Sequence, residues 1–326
     1  MATIKDVAQL AGLSVATVSR AMNGSGYVSK ASQEKIDRAI AELNFTPNEV
    51  ARSLFQKKSK MIGLLLPDIS NPFFPLIAKG VEDYFSEKGY QVILGNAQEQ
   101  PEKTNQYFQA FEQNNIAGIL CAVEASTQTT LKQPIVYLDR GGKDVEYAVY
   151  SDDLMGGELA AQAILESTAK EIVVITGPRE IERLRDRQLS VEYTLKKAQV
   201  EYHLLASNSF SLEDAKQTAK QLFLNHPKVD SVIAPSDIHA IAVMQEAYHL
   251  GYQIPKQVQI IGYDDIPMSD LMMPRLTTIH QPAYQIGYEG AKMLYQLIQE
   301  KKIKEKKLIL PVYIERRETL RKKDIE

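Results

Sequence analysis

Residues 3–23 read TIKDVAQLAGLSVATVSRAMN, and the reading of this stretch decides the fold of the amino-terminal part of the chain. Thr3-Ile4-Lys5-Asp6 is a capping-box pattern that opens a helix through Ala11. Gly12 breaks it, and Ser14 can cap a second helix running from Val15 to about Met22. Asn23-Gly24-Ser25-Gly26 is a loop, after which Ser29 or Ser32 starts a third helix with Ile36, Ile40 and Leu43 along one face. Helix, glycine-containing turn, helix is the architecture of a helix-turn-helix, although many small helical hairpins share it. The second helix is more telling. Small residues and hydroxyls at its start would let it enter a major groove about 12 Å wide. Arg20 can make a bidentate contact to guanine. Ser14, Thr17 and Ser19 can reach phosphates, which position a helix without specifying sequence. The structural alternative makes Val15 and Val18 core and Arg20 a solvated charge, and Val18 is expected to be core.

Working outward, Thr46-Pro47 ends the unit and can start a short helix from Asn48 to Phe55. Gln56-Lys57-Lys58-Ser59-Lys60 is a charged linker. Residues 1–60 carry nine Lys and Arg against five acids, whereas the whole chain of 326 residues has a net charge of −3. A basic end on an acidic body points to a polyanion partner for that end alone.

TIKDVAQLAGLSVATVSRAMN, followed by PNEVARSL, resembles the DNA-binding headpiece of the lactose-repressor/galactose-repressor (LacI/GalR) family, without a gap over residues 2–55. The resemblance implies that the second helix lies in the major groove, with Val15, Ala16 and Arg20 reading bases. Thr3, Ser14, Thr17, Ser19 and Asn23 join them as candidate DNA contacts. It also implies that the segment carrying Asn48, Ala51, Arg52 and Leu54 becomes a hinge helix only on cognate DNA, with Leu54 wedged into a central minor-groove step. The physics agrees. Asn48–Phe55 is too short for a stable isolated helix, and an apolar wedge can offset a few kcal/mol of unstacking by bending the groove. An exposed Leu54-Phe55 beside Lys57-Lys58 makes little sense in a solvated linker.

From Met61 onward, apolar runs alternate with amphipathic stretches. The runs are Ile62–Leu66, Gln91–Leu94, Ala117–Val123, Ile135–Leu138, Ile172–Thr176, His203–Ala206, Ser231–Ala234 and Val258–Tyr263. Phe74–Lys88, Met155–Glu166 and Ile238–Leu250 fall between them as helices. This alternation implies parallel sheets of βαβ units. Two series breaking near residues 140–160 imply two similar lobes, with a cleft at the strand carboxyl ends. The expected fold is therefore an α helix-turn-helix headpiece (1–46), a hinge and linker (47–60), and an α/β two-lobed body with two doubly wound parallel sheets (61–326). Lys301–Lys307 reads as a solvated loop.

The body resembles the type I periplasmic sugar-binding proteins, most closely the ribose-binding proteins and the ribose operon repressors of low-GC Gram-positive bacteria. The resemblance implies an effector site of Asn71, Phe73 and Phe74 in NPFF, Asp139 and Arg140 in LDR, and Arg187 in RLRDRQ. Phe210, Asp264 and Gln281 complete it. One position departs: Ser236 stands where the ribose group has asparagine, which puts the sugar's identity in question. The chemistry suits a pentose. Aromatic rings bury its C–H faces, Asp accepts from hydroxyls, and Arg donates through a rigid fork. Each hydroxyl taken from water without a partner costs roughly 1–3 kcal/mol. Taken singly, Asp139-Arg140 is a surface ion pair, Phe210 a loop hydrophobe, Arg187 a helix-face charge and Phe73-Phe74 a helix core face. Asp264-Asp265 lacks the ligand spacing of a cation site. Nine of ten positions matching in order favours the sugar site.

Other functions find little support. The chain has no Walker loop, GxSxG or HExxH pattern, so no catalysis is expected. The five histidines have no metal-ligand spacing, and neither a metal nor a cofactor is expected. Cys121, the single cysteine, lies in an apolar run and reads as buried filler. No apolar stretch is long enough for a membrane span, and the amino-terminal residues carry no export signal. The expectation is a cytoplasmic, nucleoid-associated, homodimeric repressor that binds double-stranded operator DNA and responds to D-ribose or a related sugar. No leucine heptads follow Arg321, so a dimer is expected rather than a tetramer. A phosphorylated carrier protein, used by some family members, is an alternative partner. A sugar receptor without DNA function is the reading from another class.

Overall fold

The strand β1, Met61–Leu66, is buried along almost its whole length because it lies inside a sheet covered on both faces. It pairs in parallel with β2 (Gln91–Asn96) on one side and β3 (Gly118–Cys121) on the other. The computed structural model describes residues 2–23, 26–45, 59–98, 100–124, 131–142, 144–178 and 181–322. The chain divides into two units, Met1–Ser59 and Lys60–Glu326.

The first unit contains α1 (Ile4–Ala11), α2 (Val15–Asn23) and α3 (Lys30–Glu42). Its start and turn follow the sequence signals. Thr3 and Asp6 form a reciprocal capping box, and Gly12 takes φ 65°, a left-handed conformation that costs glycine nothing. Ser29 caps α3 through the Ser32 N–H. Val7, Val18 and Ile36 are fully buried and form the centre of this small core. Asn48, Ala51, Arg52 and Leu54 lie outside the described residues.

In the second unit the first sheet runs β11-β5-β4-β3-β1-β2, where β4 is Ile135–Leu138, β5 Ala148–Ser151 and β11 Lys307–Leu310. Two helices, α4 (Phe73–Glu87) and α5 (Pro101–Gln113), follow β1 and β2. The second sheet runs β12-β10-β9-β8-β6-β7. Here β6 is Ile172–Thr176, β7 Tyr202–Ala206, β8 Ser231–Ile233, β9 Gln259–Asp264, β10 Thr277–His280 and β12 Tyr313–Glu315. The helices α6 (Asp153–Leu165), α7 (Glu182–Lys197), α8 (Leu212–Asn225) and α9 (Asp237–His249) connect and cover this sheet. Among the described residues every pairing is parallel except β10 with β12.

The lobes are not two successive halves. After β10 the chain returns to the first lobe as α10 (Ala283–Ile298) and β11, then recrosses to place β12 in the second sheet. Lys307, assigned to a solvated loop from its charged surroundings, opens β11 and pairs with Ala148. A short edge strand tolerates lysine because one flank faces solvent. The return is secured by α10 against α4, where two glycines face opposite backbones. A Cβ on Gly80 would stand 2.1 Å from Tyr284 O, and one on Gly287 2.1 Å from Ile77 O. The two backbones approach too closely for any side chain larger than hydrogen.

Candidate functional site

The headpiece exposes one face of α2. Val15 is 41% exposed, Ala16 and Arg20 are exposed, and Val18 turns inward as core. The Ser14 hydroxyl accepts the Thr17 N–H at 3.1 Å and lies 2.8 Å from the Thr17 hydroxyl, so both are engaged in starting the helix. Ser19 is half-buried. Thr3 donates its hydroxyl to Asp6 at 2.8 Å, which assigns it to holding the start of α1. Asn23 closes α2.

In the body, the candidate residues gather where the parallel strands end, at the position favoured for ligands in open α/β sheets. A cleft of about 250 Å³ is lined by Asp68, Asn71, Phe74, Gln98, Gln100 and Arg140 from the first lobe and Ser209, Phe210 and Ser211 from the second. That volume lies below the roughly 300–1,000 Å³ of sites for drug-sized ligands and suits a small polyol. Asn71 Oδ1 accepts the Phe73 N–H at 3.1 Å, fixing the turn after β1. Phe73 and Phe74 meet edge to face with centroids 5.3 Å apart, but only Phe74 belongs to the cleft lining. Phe73, read as pocket wall from the sequence, is a core residue, 3% exposed.

Arg140 links the lobes. Its guanidinium centre lies 4.9 Å from the Phe74 ring centroid and 5.1 Å from that of Phe210. One planar cation thus touches an aromatic ring of each lobe, an arrangement favoured by the ring quadrupole. Beside it, Asp139 takes φ 59°, and Asp264 in the other lobe takes φ 114°. Non-glycine residues held in such conformations cost about 1–3 kcal/mol each and cluster at functional sites. Positive φ also occurs at Asn44, Gln98, Asn115, Gln199, Asp265 and Glu300, so the conformation is shared by the two candidate carboxylates, one per lobe, and by turns elsewhere.

Both carboxyls are pushed above the ordinary aspartate range. Burial is the main cause for Asp139, opposed by Arg140. For Asp264 burial leads and the neighbouring Asp237 adds to it. Asp237 is itself raised to about 7 by burial, although the Ser269 and Thr278 hydroxyls and the Ile266 N–H all donate to it. Gln281 donates to Asp264 Oδ1 at 2.7 Å and accepts from Ser151 of the first lobe, so it ties the lobes at a crossing.

Arg187 and Ser236 are more fully occupied than the sequence reading implied. Arg187 donates to Asp153 at 2.8 and 3.2 Å and to Pro235 O at 3.1 Å, with its guanidinium 3.3 Å from the Tyr263 centroid. Neither residue is on the cleft lining. Ser236 is 1% exposed, caps α9 and lies 2.9 Å from His239 Nδ1. His239 Nε2 in turn lies 2.8 Å from the Ser207 hydroxyl, and burial pushes this imidazole down to about 4, so it is neutral. Its ring stands edge to face with Phe210, supporting the aromatic from behind.

Sequence reasoning missed Asp153 and Arg183. Asp153 holds both Arg187 and Arg183, and Arg183 also covers the Tyr150 ring at 4.3 Å and donates to Ser151 O. The available signal was the short apolar run Ala148–Ser151 followed by two aspartates, and a second arginine one helical turn before Arg187. Asp68, Gln98, Gln100, Ser209 and Ser211 were missed as well, since isolated polar side chains around loops carry no sequence pattern.

Residues 3–48 match the family of bacterial regulatory proteins, lacI family. Residues 161–320 match the periplasmic binding protein-like domain. Over 99% of its length the chain is 45% identical to the ribose operon repressor of Bacillus subtilis (strain 168), covering 100% of that protein. A solved LacI family transcriptional regulator from Enterococcus faecium with bound ribose is 30% identical, with a TM-score of 0.72 over 80% of this chain and 98% of that one. The lac repressor dimer bound to operator and the anti-inducer ONPF shares the fold at a TM-score of 0.87 and 23% identity, over 98% of both chains.

Proposed function

The chain belongs to the lacI family of bacterial regulatory proteins, and from that premise we propose that it represses transcription as a homodimer released from its operator by D-ribose. Two headpieces read half-sites of a pseudo-palindromic operator through Val15, Ala16 and Arg20, with residues 47–60 as the hinge and Leu54 as its wedge. The observation that carries the effector reading is the stack of Phe74, Arg140 and Phe210 across the cleft. It is an aromatic slot gauged to a flat group, with hydrogen-bonding side chains at its rim. A pentose entering the slot takes the ring faces that the guanidinium now covers, and Arg140 moves to the edge of the sugar to donate to its hydroxyls. Sugar bound to both lobes favours their closure, which displaces the first lobes of the dimer and separates the hinges. By linkage, operator weakens sugar binding by the factor through which sugar weakens operator binding.

The direct test is fluorescence anisotropy of a labelled operator duplex with the purified full-length protein during titration with D-ribose. Release at saturating ribose, with other pentoses less effective, is expected. Operator binding unchanged by ribose would sink the effector assignment, and release that needed an added phosphorylated carrier protein would identify that protein as the input instead. Ser236→Asn restores the amide of the ribose group and is expected to tighten ribose binding in calorimetry. Weaker binding would mean that the Ser236–His239 pair, rather than an amide, is what this cleft requires.

The raised Asp264 predicts opposite pH trends for binding and for folding. A sugar hydroxyl donates to the ionised carboxylate, so ribose affinity is expected to rise with pH through the folded-state range of Asp264. Stability runs the other way. The folded chain keeps a proton that the unfolded chain loses near its ordinary value, so the stability present at low pH falls as pH rises through the folded value. Asp264→Asn is expected to flatten the part of the affinity profile that lies above the ordinary aspartate range. A profile that keeps its slope in this variant would assign the titration to another group.

A further inference from the structure

Two of the five histidines meet a carboxylate at the end of the second lobe opposite the cleft. Glu171 immediately precedes β6, His203 is the second residue of the edge strand β7, and His226 caps the carboxyl end of α8. Their ligand atoms all lie within 4.8 Å of one another. His203 Nε2 is 3.0 Å from Glu171 Oε1, and the two imidazole rings lie 4.8 Å apart between centroids, tilted by 35°. No spacing in the sequence announces the group, because its members come from three separate elements, brought together by the parallel pairing of β6 with β7 and the packing of α8 against β7.

We propose that Glu171, His203 and His226 form a binding site for a divalent transition metal of the zinc type. Two imidazoles and one carboxylate are the ligand set of open zinc sites, in which water completes the tetrahedron. Zinc at about 2.0–2.2 Å from each ligand holds the donors roughly 3.3–3.6 Å apart. The 3.0 Å pair needs to open slightly and the third donor to move inward by up to about 1.5 Å, within the reach of rotamer adjustment at side chains that are exposed or half-buried. Glu171 supplies the negative charge, and the exposed edge leaves a path for the ion and its remaining waters. Magnesium is disfavoured, since it prefers an all-oxygen octahedron. A bound ion would join β6, β7 and α8, three points dispersed along the chain and assembled only in the folded state, and so would stabilise the second lobe.

The test uses untagged, full-length protein stripped of metal by chelator and titrated with ZnCl2 by calorimetry, with MgCl2 as the comparison. One zinc per chain is expected, with a melting temperature that rises with zinc and not with magnesium. His203→Ala and His226→Gln should each weaken zinc binding at least about tenfold while leaving operator binding unchanged, which also reports that each variant is folded. Two variants are used so that either suffices if the other fails to fold. Absence of zinc binding, or unchanged zinc affinity in a folded variant, would overturn the proposal and leave the contact between Glu171 and His203 without a metal-binding role.

Discussion

Arg20→Ala is expected to lower operator affinity by roughly five- to 150-fold per half-site, the range of one bidentate arginine–guanine contact of about 1–3 kcal/mol. A dimer makes the contact twice, so the loss in the assembled complex approaches the product of the two. The structure offers little reason for a folding defect. Arg20 is exposed on the outer face of α2, and the core of the headpiece is carried by Val7, Val18 and Ile36. The measurement is operator anisotropy at fixed salt, paired with the unfolding midpoint. A change in affinity equal for cognate and scrambled duplexes would assign Arg20 to phosphate rather than base contact. Ribose binding by the body should be unaltered.

The second large effect is on the sugar response. Phe74→Leu is expected to raise the ribose concentration for half-maximal operator release at least about tenfold, while operator affinity without sugar stays within about twofold. Leucine preserves apolar volume but lacks the flat face that meets Arg140 at 4.9 Å and would meet a sugar ring. Phe74 is also 2% exposed and part of the main core, so alanine there would cost about 3–5 kcal/mol and confuse the result with unfolding. Phe73→Leu is the comparison. It alters the neighbouring core ring without changing the cleft lining, and should leave the ribose response near that of the unchanged protein. Equal effects of the two variants would return the ring pair to a purely structural role.

Those two phenylalanines show where sequence reasoning stops. NPFF after a buried strand identifies a turn at the carboxyl end of β1, and that places the pair near the cleft. Adjacent residues at the start of a helix point about 100° apart, and nothing local says which of them faces the second lobe. Arg20 was legible for the opposite reason. Its neighbours repeat a helical pattern with Val18 inward, so an outward arginine follows from the periodicity of α2 alone. Cys121 was legible too: it is fully buried in β3, and burial pushes its thiol up to about 12.

Local pattern determined the capping box at Thr3, the turn at Gly12, the second helix of the headpiece, and the alternation of buried strands with helices that makes a parallel two-lobed body. Each of these depends on residues a few positions apart, whose interactions are settled before the chain folds back on itself. Tertiary structure decided the rest. It returns α10 and β11 to the first lobe through the Gly80–Gly287 contact and sets Arg140 between rings more than a hundred residues apart in the chain. It also occupies Arg187 with Asp153 and draws Glu171, His203 and His226 to one edge. Such contacts depend on which strand lies beside which, and that order is fixed by packing across the whole body rather than by any one stretch of sequence.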